Sequence, residues 1–228
     1  MPELDSITIK GFKSIADLSV GLGRINIVIG ANGSGKSNFL DAFAFLREIR
    51  DGRLQEHVAR AGGAESVLHF GSKTTEEMRL EVSFGGNTNA YAIDLVPDAR
   101  ESLIVDNEVV SFWNRHDYPD GPLVKQIGFQ RKEAAIADEN PRSGAVARHV
   151  RECLDSWRLY HFQDTSTTSS MRKTGDVEDN RNLRADASNL APMLHYLGKK
   201  HPGSYSLIRN AIRGVAPFFD DFSLDLRT

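Results

Sequence analysis

The spacing of apolar residues changes along the first fifty residues, and each spacing predicts a different element. Residues 4–12 alternate apolar and polar positions, which predicts a first strand, and a second is predicted at 17–22. Residues 24–29, Arg-Ile-Asn-Ile-Val-Ile, form a short β-branched run typical of a buried strand. Apolar side chains then recur at helical spacing from 37 to about 50. The pattern therefore predicts a strand, a glycine-rich loop and a helix in succession.

Between residues 78 and 113, apolar residues again occupy every second position. Three alternating runs are separated there by Gly85-Gly86-Asn87 and Pro97-Asp98, which predicts an antiparallel meander. The connector 52–71 and the mixed stretch 114–141 carry no predicted element.

The second half of the chain predicts helices separated by a polar segment. A helix face is visible at 146–157, followed by a short strand at 158–162. Residues 165–185 are rich in Ser, Thr, Asp, Asn and Arg, and we expect this segment to be mobile or dependent on a partner.

Two more helices and a strand are predicted beyond the polar segment. Ser188 is interpreted as the N-cap of a helix reaching about Lys200, and a second helix is predicted at 205–215. Residues 222–226 are predicted to form a last strand.

Composition adds bounds rather than a function. Hydrophobic residues make up 40% and charged residues 26%, as in ordinary soluble proteins, and the net charge of −3 gives no overall attraction to nucleic acid or anionic membrane. The single cysteine, Cys153, excludes an internal disulfide and fits a reducing compartment. No run approaches the roughly 18 apolar residues of a membrane span, and the N-terminus lacks an apolar signal region. We therefore expect a cytoplasmic protein without a membrane partner.

The candidate chemistry lies between the predicted strand and helix. Residues 30–37 read Gly-Ala-Asn-Gly-Ser-Gly-Lys-Ser, a complete phosphate-binding loop in the strand–loop–helix context that this motif requires. Its glycines let successive backbone N–H groups face a phosphate chain, and the helix N-terminus adds partial positive charge. Lys36 is expected to reach the β- and γ-phosphates, and the Ser37 hydroxyl to bind Mg²⁺.

Two stretches, residues 7–14 (Ile-Thr-Ile-Lys-Gly-Phe-Lys-Ser) and 27–42, give the chain a family resemblance. It resembles the RecF/SMC-like branch of ABC-type ATPases, and within it a family of predicted bacterial ATPases. The resemblance implies an α/β fold: a P-loop NTPase core of ABC type, an antiparallel β-subdomain at about 78–113 and the beginning of a helical lobe. It implies a nucleotide-binding lobe over 1–164, a polar mobile segment over 165–185, and the helical-lobe start with a final strand over 186–228.

The resemblance also implies roles for particular side chains. Lys13 and Ser14 match positions near the nucleotide, although they could form only a polar turn. Asn32 matches a residue facing the γ-phosphate, and Asn38 one beside the α-phosphate. Gln163 matches a glutamine that touches Mg²⁺ and the attacking water; its alternative is a surface residue at a strand end. The residues predicted to contact ATP are Lys13, Ser14, Gly30, Asn32, Gly33, Ser34, Gly35, Lys36, Ser37 and Asn38. Lys36 and Gln163 are the predicted catalytic residues, and Ser37 and Gln163 the predicted metal ligands.

The sequence departs from this branch after Gln163. No signature motif, Walker B acidic pair or switch histidine is found there. An apolar run ending at Asp106 is interpreted as leading into a β-turn at Asp106-Asn107, and the Pro217 context argues that Asp220 is structural. The histidines show no paired metal-ligand spacing, so no metal other than Mg²⁺ is expected.

We therefore expect the ATP-binding portion of an ATPase whose turnover depends on a C-terminal half and on a second ATPase head. DNA repair, chromosome maintenance and phage defence all use such heads. The alternative is a nucleotide-regulated interaction or DNA-binding module. Basic residues of the 165–185 segment are offset by acidic ones, so DNA binding is possible but not evident from charge.

Overall fold

A computed structural model describes residues 3–138, 144–160 and 169–224 as a mixed α/β structure. Its helices and strands run as follows: β1 Leu4–Phe12, β2 Ile15–Gly21, α1 Lys36–Arg50, α2 Leu54–Ala61, α3 Ala64–Val67, β3 Met78–Phe84, β4 Asn89–Pro97, β5 Leu103–Phe112, β6 Leu123–Arg131, α4 Ala145–Asp155, α5 Leu190–Lys200 and α6 Pro202–Val215. Short 3₁₀ turns lie at Ala135–Ala137 and Ser170–Arg172.

The strands form one antiparallel sheet of six in the order β2-β1-β3-β4-β5-β6. The two N-terminal strands and the meander are confirmed, and they join one another through β1 and β3. Leu80 lies opposite Ile93 and Val82 opposite Tyr91, so the residues of period two share the buried face of the sheet.

The core forms between this sheet and α1, the helix that follows the glycine loop. Phe45, Leu46 and Ile49 of α1 are fully buried, and the Phe45 ring stacks on Phe12 of β1 with 5.5 Å between ring centroids. Burying each such side chain contributes about 1.5–3 kcal/mol. The packing therefore anchors the helix that carries Lys36 to the first strand.

The chain divides into two compact units, Met1–Trp157 and Arg158–Thr228. The first contains the sheet, α1–α4 and the main hydrophobic cluster. The second contains α5 and α6, which confirm the two helices predicted beyond the polar segment.

The predicted buried strand at 24–29 is wrong. No strand forms there, and the side chains of Ile25, Ile27 and Ile29 are 84%, 81% and 86% exposed. Among the described residues, no strand pairs with this run, and neither edge strand of the sheet, β2 or β6, takes it as a neighbour. β-Branched composition suits a strand, but a strand is stable only when it has neighbours.

The predicted turn at Asp106-Asn107 is also wrong, because both residues lie within β5. Asp94 pairs with Asn107 and Leu95 with Val105, which leaves Asp106 as the extra residue of a β-bulge. The bulge accommodates a polar pair inside a strand without ending it.

Several shorter elements differ from the sequence prediction. α2 and α3 occupy the connector, and β6 occupies the stretch without a predicted element. The N-cap of α5 is Asn189 rather than Ser188. Residues 158–160 and 222–224, the described parts of two predicted short strands, are not strands.

Candidate nucleotide-binding site

The loop over residues 30–37 has the backbone shape that its glycines require. Gly33 and Gly35 have φ angles of 80° and 90°, in the left-handed region that side-chain-bearing residues rarely adopt. At Gly30, an added Cβ would lie 2.7 Å from Ser34 Oγ. The loop therefore curls tightly between the exposed run and α1.

The Lys36 side chain folds back across this loop and binds its backbone. Its Nζ donates hydrogen bonds to the carbonyl oxygens of Gly30 and Ala31, each at 2.7 Å. The ammonium charge is thus held against the concave backbone, where successive N–H groups can meet an anion.

The N-terminus of α1 is open to a ligand. Its N-cap is Gly35, no side chain caps it, and its first turn contains no acidic residue. The first N–H groups of a helix have no partner within the helix and carry partial positive charge. These groups and Lys36 together form an arrangement suited to phosphate oxygens.

Ser14 and Asn38 lie together beside the loop. Asn38 Nδ2 donates to Ser14 Oγ at 2.7 Å, and that oxygen lies 2.9 Å from where a Cβ on Gly35 would stand. The structure therefore brings the first hairpin to the glycine loop. Asn32 and Ser37 are exposed.

Lys13 is directed toward α1 rather than toward the loop. Its backbone adopts a left-handed φ of 48°, and its Nζ donates to Asp41 Oδ2 at 2.6 Å. The backbone N–H of Lys13 donates to the Val67 carbonyl at 2.8 Å, and His69 Nδ1 lies 2.8 Å from the Lys13 carbonyl oxygen. Sequence reasoning assigned no role to Asp41 or His69, because no periodicity links either to Lys13.

Glu108, two residues beyond Asp106, is fully buried, and its hydrogen bonds are internal. One carboxylate oxygen accepts from the Tyr91 hydroxyl and the Ile136 N–H, and the other from the Ala135 N–H. Burial raises the pKa of Glu108, against the lowering effect of the two N–H groups and of Tyr91. Asp220 pairs with Arg213 at 2.7 Å. Glu108 therefore has a structural role in the buried interior, whereas Asp220 forms an ion pair at the surface.

Gln163 lies outside the described residues. Within the described ranges, no group of three or more His, Cys, Asp or Glu side chains could hold a metal ion. The same residues contain no helix long and apolar enough to cross a membrane.

A cleft of about 790 Å³ adjoins the loop. Leu18 and Val20 of β2 line one part of it, the exposed Ile27 and Ile29 another, and Lys36 lies at the loop. The cleft thus joins an apolar lining to the glycine loop.

Residues 25–165, which include the loop and most of the sheet, match the family described as "AAA domain, putative AbiEii toxin, Type IV TA system". The chain belongs to this family. The match supports the prediction of an SMC/RecF-like ABC-type ATPase head. The curated relatives of the chain support the same prediction.

Curated relatives include proteins of chromosome maintenance and DNA repair. The chain is 30% identical over 127 residues to the chromosome partition protein Smc of Pyrococcus furiosus, covering 53% of this chain and 9% of Smc. It is 26% identical over 103 residues to the DNA replication and repair protein RecF of Cytophaga hutchinsonii, covering 43% of this chain and 27% of RecF. The matched part is a minor fraction of each relative.

A solved structure from work on ATP-driven dimerisation and DNA-stimulated activation of SMC ATPases also aligns with this chain. Its sequence identity is 18%, its TM-score is 0.38, and the alignment covers 92% of this chain and 99% of that one.

Proposed function

We propose that this chain binds ATP with Mg²⁺ at residues 30–37 and is the nucleotide-binding portion of an SMC/RecF-like ATPase. The observation that carries the proposal is the loop geometry: Lys36 lies across a curled backbone at an uncapped helix N-terminus. Phosphoryl transfer depends mainly on positioning and charge neutralisation, and these groups supply both.

The residues present fit a magnesium nucleotide. The Ser37 hydroxyl is exposed in the first turn of α1 and would hold Mg²⁺, with Gln163 as its proposed second ligand. The metal would neutralise charge on the phosphate oxygens. Lys36 and the loop N–H groups would orient the phosphates, with Ser14, Asn32 and Asn38 as polar neighbours.

We further propose that hydrolysis needs a C-terminal half and a second ATPase head. The run Ile25–Ile29 supports this, because four exposed β-branched residues directly precede the loop without a neighbouring strand in the described chain. Paired strands at this position would cover the apolar residues and bring a water-orienting group toward the loop. We propose DNA maintenance as its role, which the names of the Smc and RecF relatives support, with phage defence as the second setting in which such heads are used.

The ATP proposal is tested by equilibrium binding of a fluorescent ATP analogue with Mg²⁺. Lys36→Ala is expected to weaken binding by about a hundredfold or more, because it removes a charge-assisted contact to the phosphates. Lys199→Ala, on an exposed position of α5, is the matched control and should bind as the unmodified chain does. Equal affinity of the Lys36 and Lys199 variants would contradict the proposal.

The partner requirement is tested by phosphate release from the chain alone. We expect no turnover above background under conditions where ATP is bound. Steady turnover that disappears in Lys36→Ala would show that the chain hydrolyses ATP without a partner.

A further inference from the structure

We propose that Asp41 competes with the nucleotide phosphates for Lys13, so that Asp41 limits the affinity of the site. The inference rests on the proposed ATP site and adds to it a residue with no assigned role. Lys13 is bound to Asp41 in the structure, and we infer that it transfers to the phosphates when nucleotide binds.

Two contacts hold the Lys13 ammonium, one from Asp41 of α1 and one from the ring of Phe12 of β1. Nζ lies 2.6 Å from Asp41 Oδ2 and 5.4 Å from the centroid of the Phe12 ring. The side chains of Lys13 and Asp41 are 27% and 32% exposed, so the pair is screened less than a surface ion pair. The pair is therefore a defined state of Lys13 rather than a passing surface contact.

The backbone keeps Lys13 close to the loop while its side chain points away. The contacts of Lys13 with Val67 and His69 fix the turn, and the next residue, Ser14, contacts Asn38 beside Gly35. A lysine side chain is flexible and ends in a compact charge. The ammonium can therefore reach toward the loop without a change in the backbone of the turn.

The other charged neighbours do not replace Asp41. His57, on α2, interacts electrostatically with Lys13 and Asp41, and also with Glu48 and Arg60. Burial lowers the pKa of His57, so this imidazole is neutral at pH 7 and leaves the charges of the pair unchanged. Glu48 is engaged by Arg53 at 2.8 Å. Asp41 is thus the carboxylate that neutralises Lys13.

Removing the Asp41 carboxylate is expected to raise the affinity for ATP. In Asp41→Asn the ammonium loses its charged partner, and the site gains one positive charge for the phosphates. An ion pair of this exposure, which the nucleotide must break to recruit Lys13, lowers affinity roughly two- to fivefold. We expect Asp41→Asn to bind ATP more tightly by this factor, and the gain to shrink at high salt.

The test is a double-mutant cycle on the full chain, using Kd for the fluorescent ATP analogue. Asp41→Asn should tighten binding by a larger factor in the unmodified chain than in a Lys13→Met background, where only the direct repulsion between the Asp41 carboxylate and the phosphates is removed. Asp138→Asn, which removes an exposed partner of Arg131 away from the cleft, is the control and should have no effect. Asp41→Ser serves as a second variant if Asp41→Asn does not fold.

The outcomes separate this inference from the proposed function. ATP binding by the unmodified chain together with unchanged or weaker binding by both Asp41 variants would overturn the inference alone. Equal tightening in the Lys13→Met background would also overturn it, because the gain would then come from the lost Asp41 charge alone and not from Lys13. Absence of ATP binding by the unmodified chain would overturn the proposed function, and the inference with it.

Discussion

At the scale of single residues, Glu108 shows how a charge is accommodated inside the sheet. Its carboxylate joins β5 to β4 through Tyr91 and to the 3₁₀ turn through Ala135 and Ile136. Removing one partner of such a buried group leaves the others unsatisfied, which costs about 1–3 kcal/mol. Glu108 therefore fixes the 3₁₀ turn to the sheet.

Glu108→Gln is expected to lower the free energy of unfolding by about 1–3 kcal/mol, because an amide N–H₂ cannot accept from the backbone N–H groups. Urea denaturation measures this, with the exposed Glu76→Gln as control. The raised folded-state pKa of Glu108 means that the folded protein holds this proton more strongly than the unfolded chain does. Stability should therefore fall as pH rises above the ordinary carboxyl value, and Glu108→Gln should remove that slope. An unchanged slope would contradict this assignment.

The sequence predicts the backbone shape of the glycine loop at the residue level but not the contacts between residues distant in sequence. Residues 30–37 were recognisable because their order directly encodes a backbone shape. The pairing of Lys13 with Asp41 joins residues 28 apart, and that of Glu108 with Tyr91 residues 17 apart. Neither pairing leaves a local pattern, so only the folded chain reveals it.

At the scale of elements, α1 and the run Ile25–Ile29 behave oppositely although both have apolar sequences. The helix was predicted and is confirmed, because a helix satisfies its backbone internally and needs only one covered face. The run reads as a buried strand but is exposed, because a strand needs partners for its backbone and both faces.

Ile27→Lys is expected to change the unfolding free energy of the isolated chain by less than about 0.5 kcal/mol, since this side chain packs on little. It should also reduce self-association, because it interrupts an exposed apolar patch. Ile9→Ala, in the buried core, should cost about 2–5 kcal/mol by comparison. Thermal melting measures the changes in stability, and light scattering measures the change in self-association. A large loss of stability in Ile27→Lys would show that the run is buried in solution.

At the scale of the whole molecule, burial is distributed unevenly between the two units. The main hydrophobic cluster draws all its buried members from the first unit, including α1, α4 and the sheet. In the second unit α6 has no buried residue, and Leu207, Val215 and Phe218 are 72%, 89% and 92% exposed. Elements with few buried apolar contacts open more readily than core elements.

Hydrogen exchange should therefore be faster in α5 and α6 than in β1, β3 and β4, where exchange requires opening of the sheet. Mass spectrometry of peptides from each element measures the difference. Comparable protection in α6 and β3 would show that the second unit is stabilised by contacts other than burial within it.

The sequence by itself determined the curled glycine loop, the helix that follows it, the antiparallel meander and the family of the chain. Each depends on residues close together in sequence, whose order sets backbone conformation and period. Tertiary structure alone decided that the first hairpin joins the meander in one sheet, that Asp106 is a bulge and that Lys13 is bound to Asp41. It also decided that Ile25–Ile29 stays exposed, because burial depends on which partners reach a segment and not on its own composition.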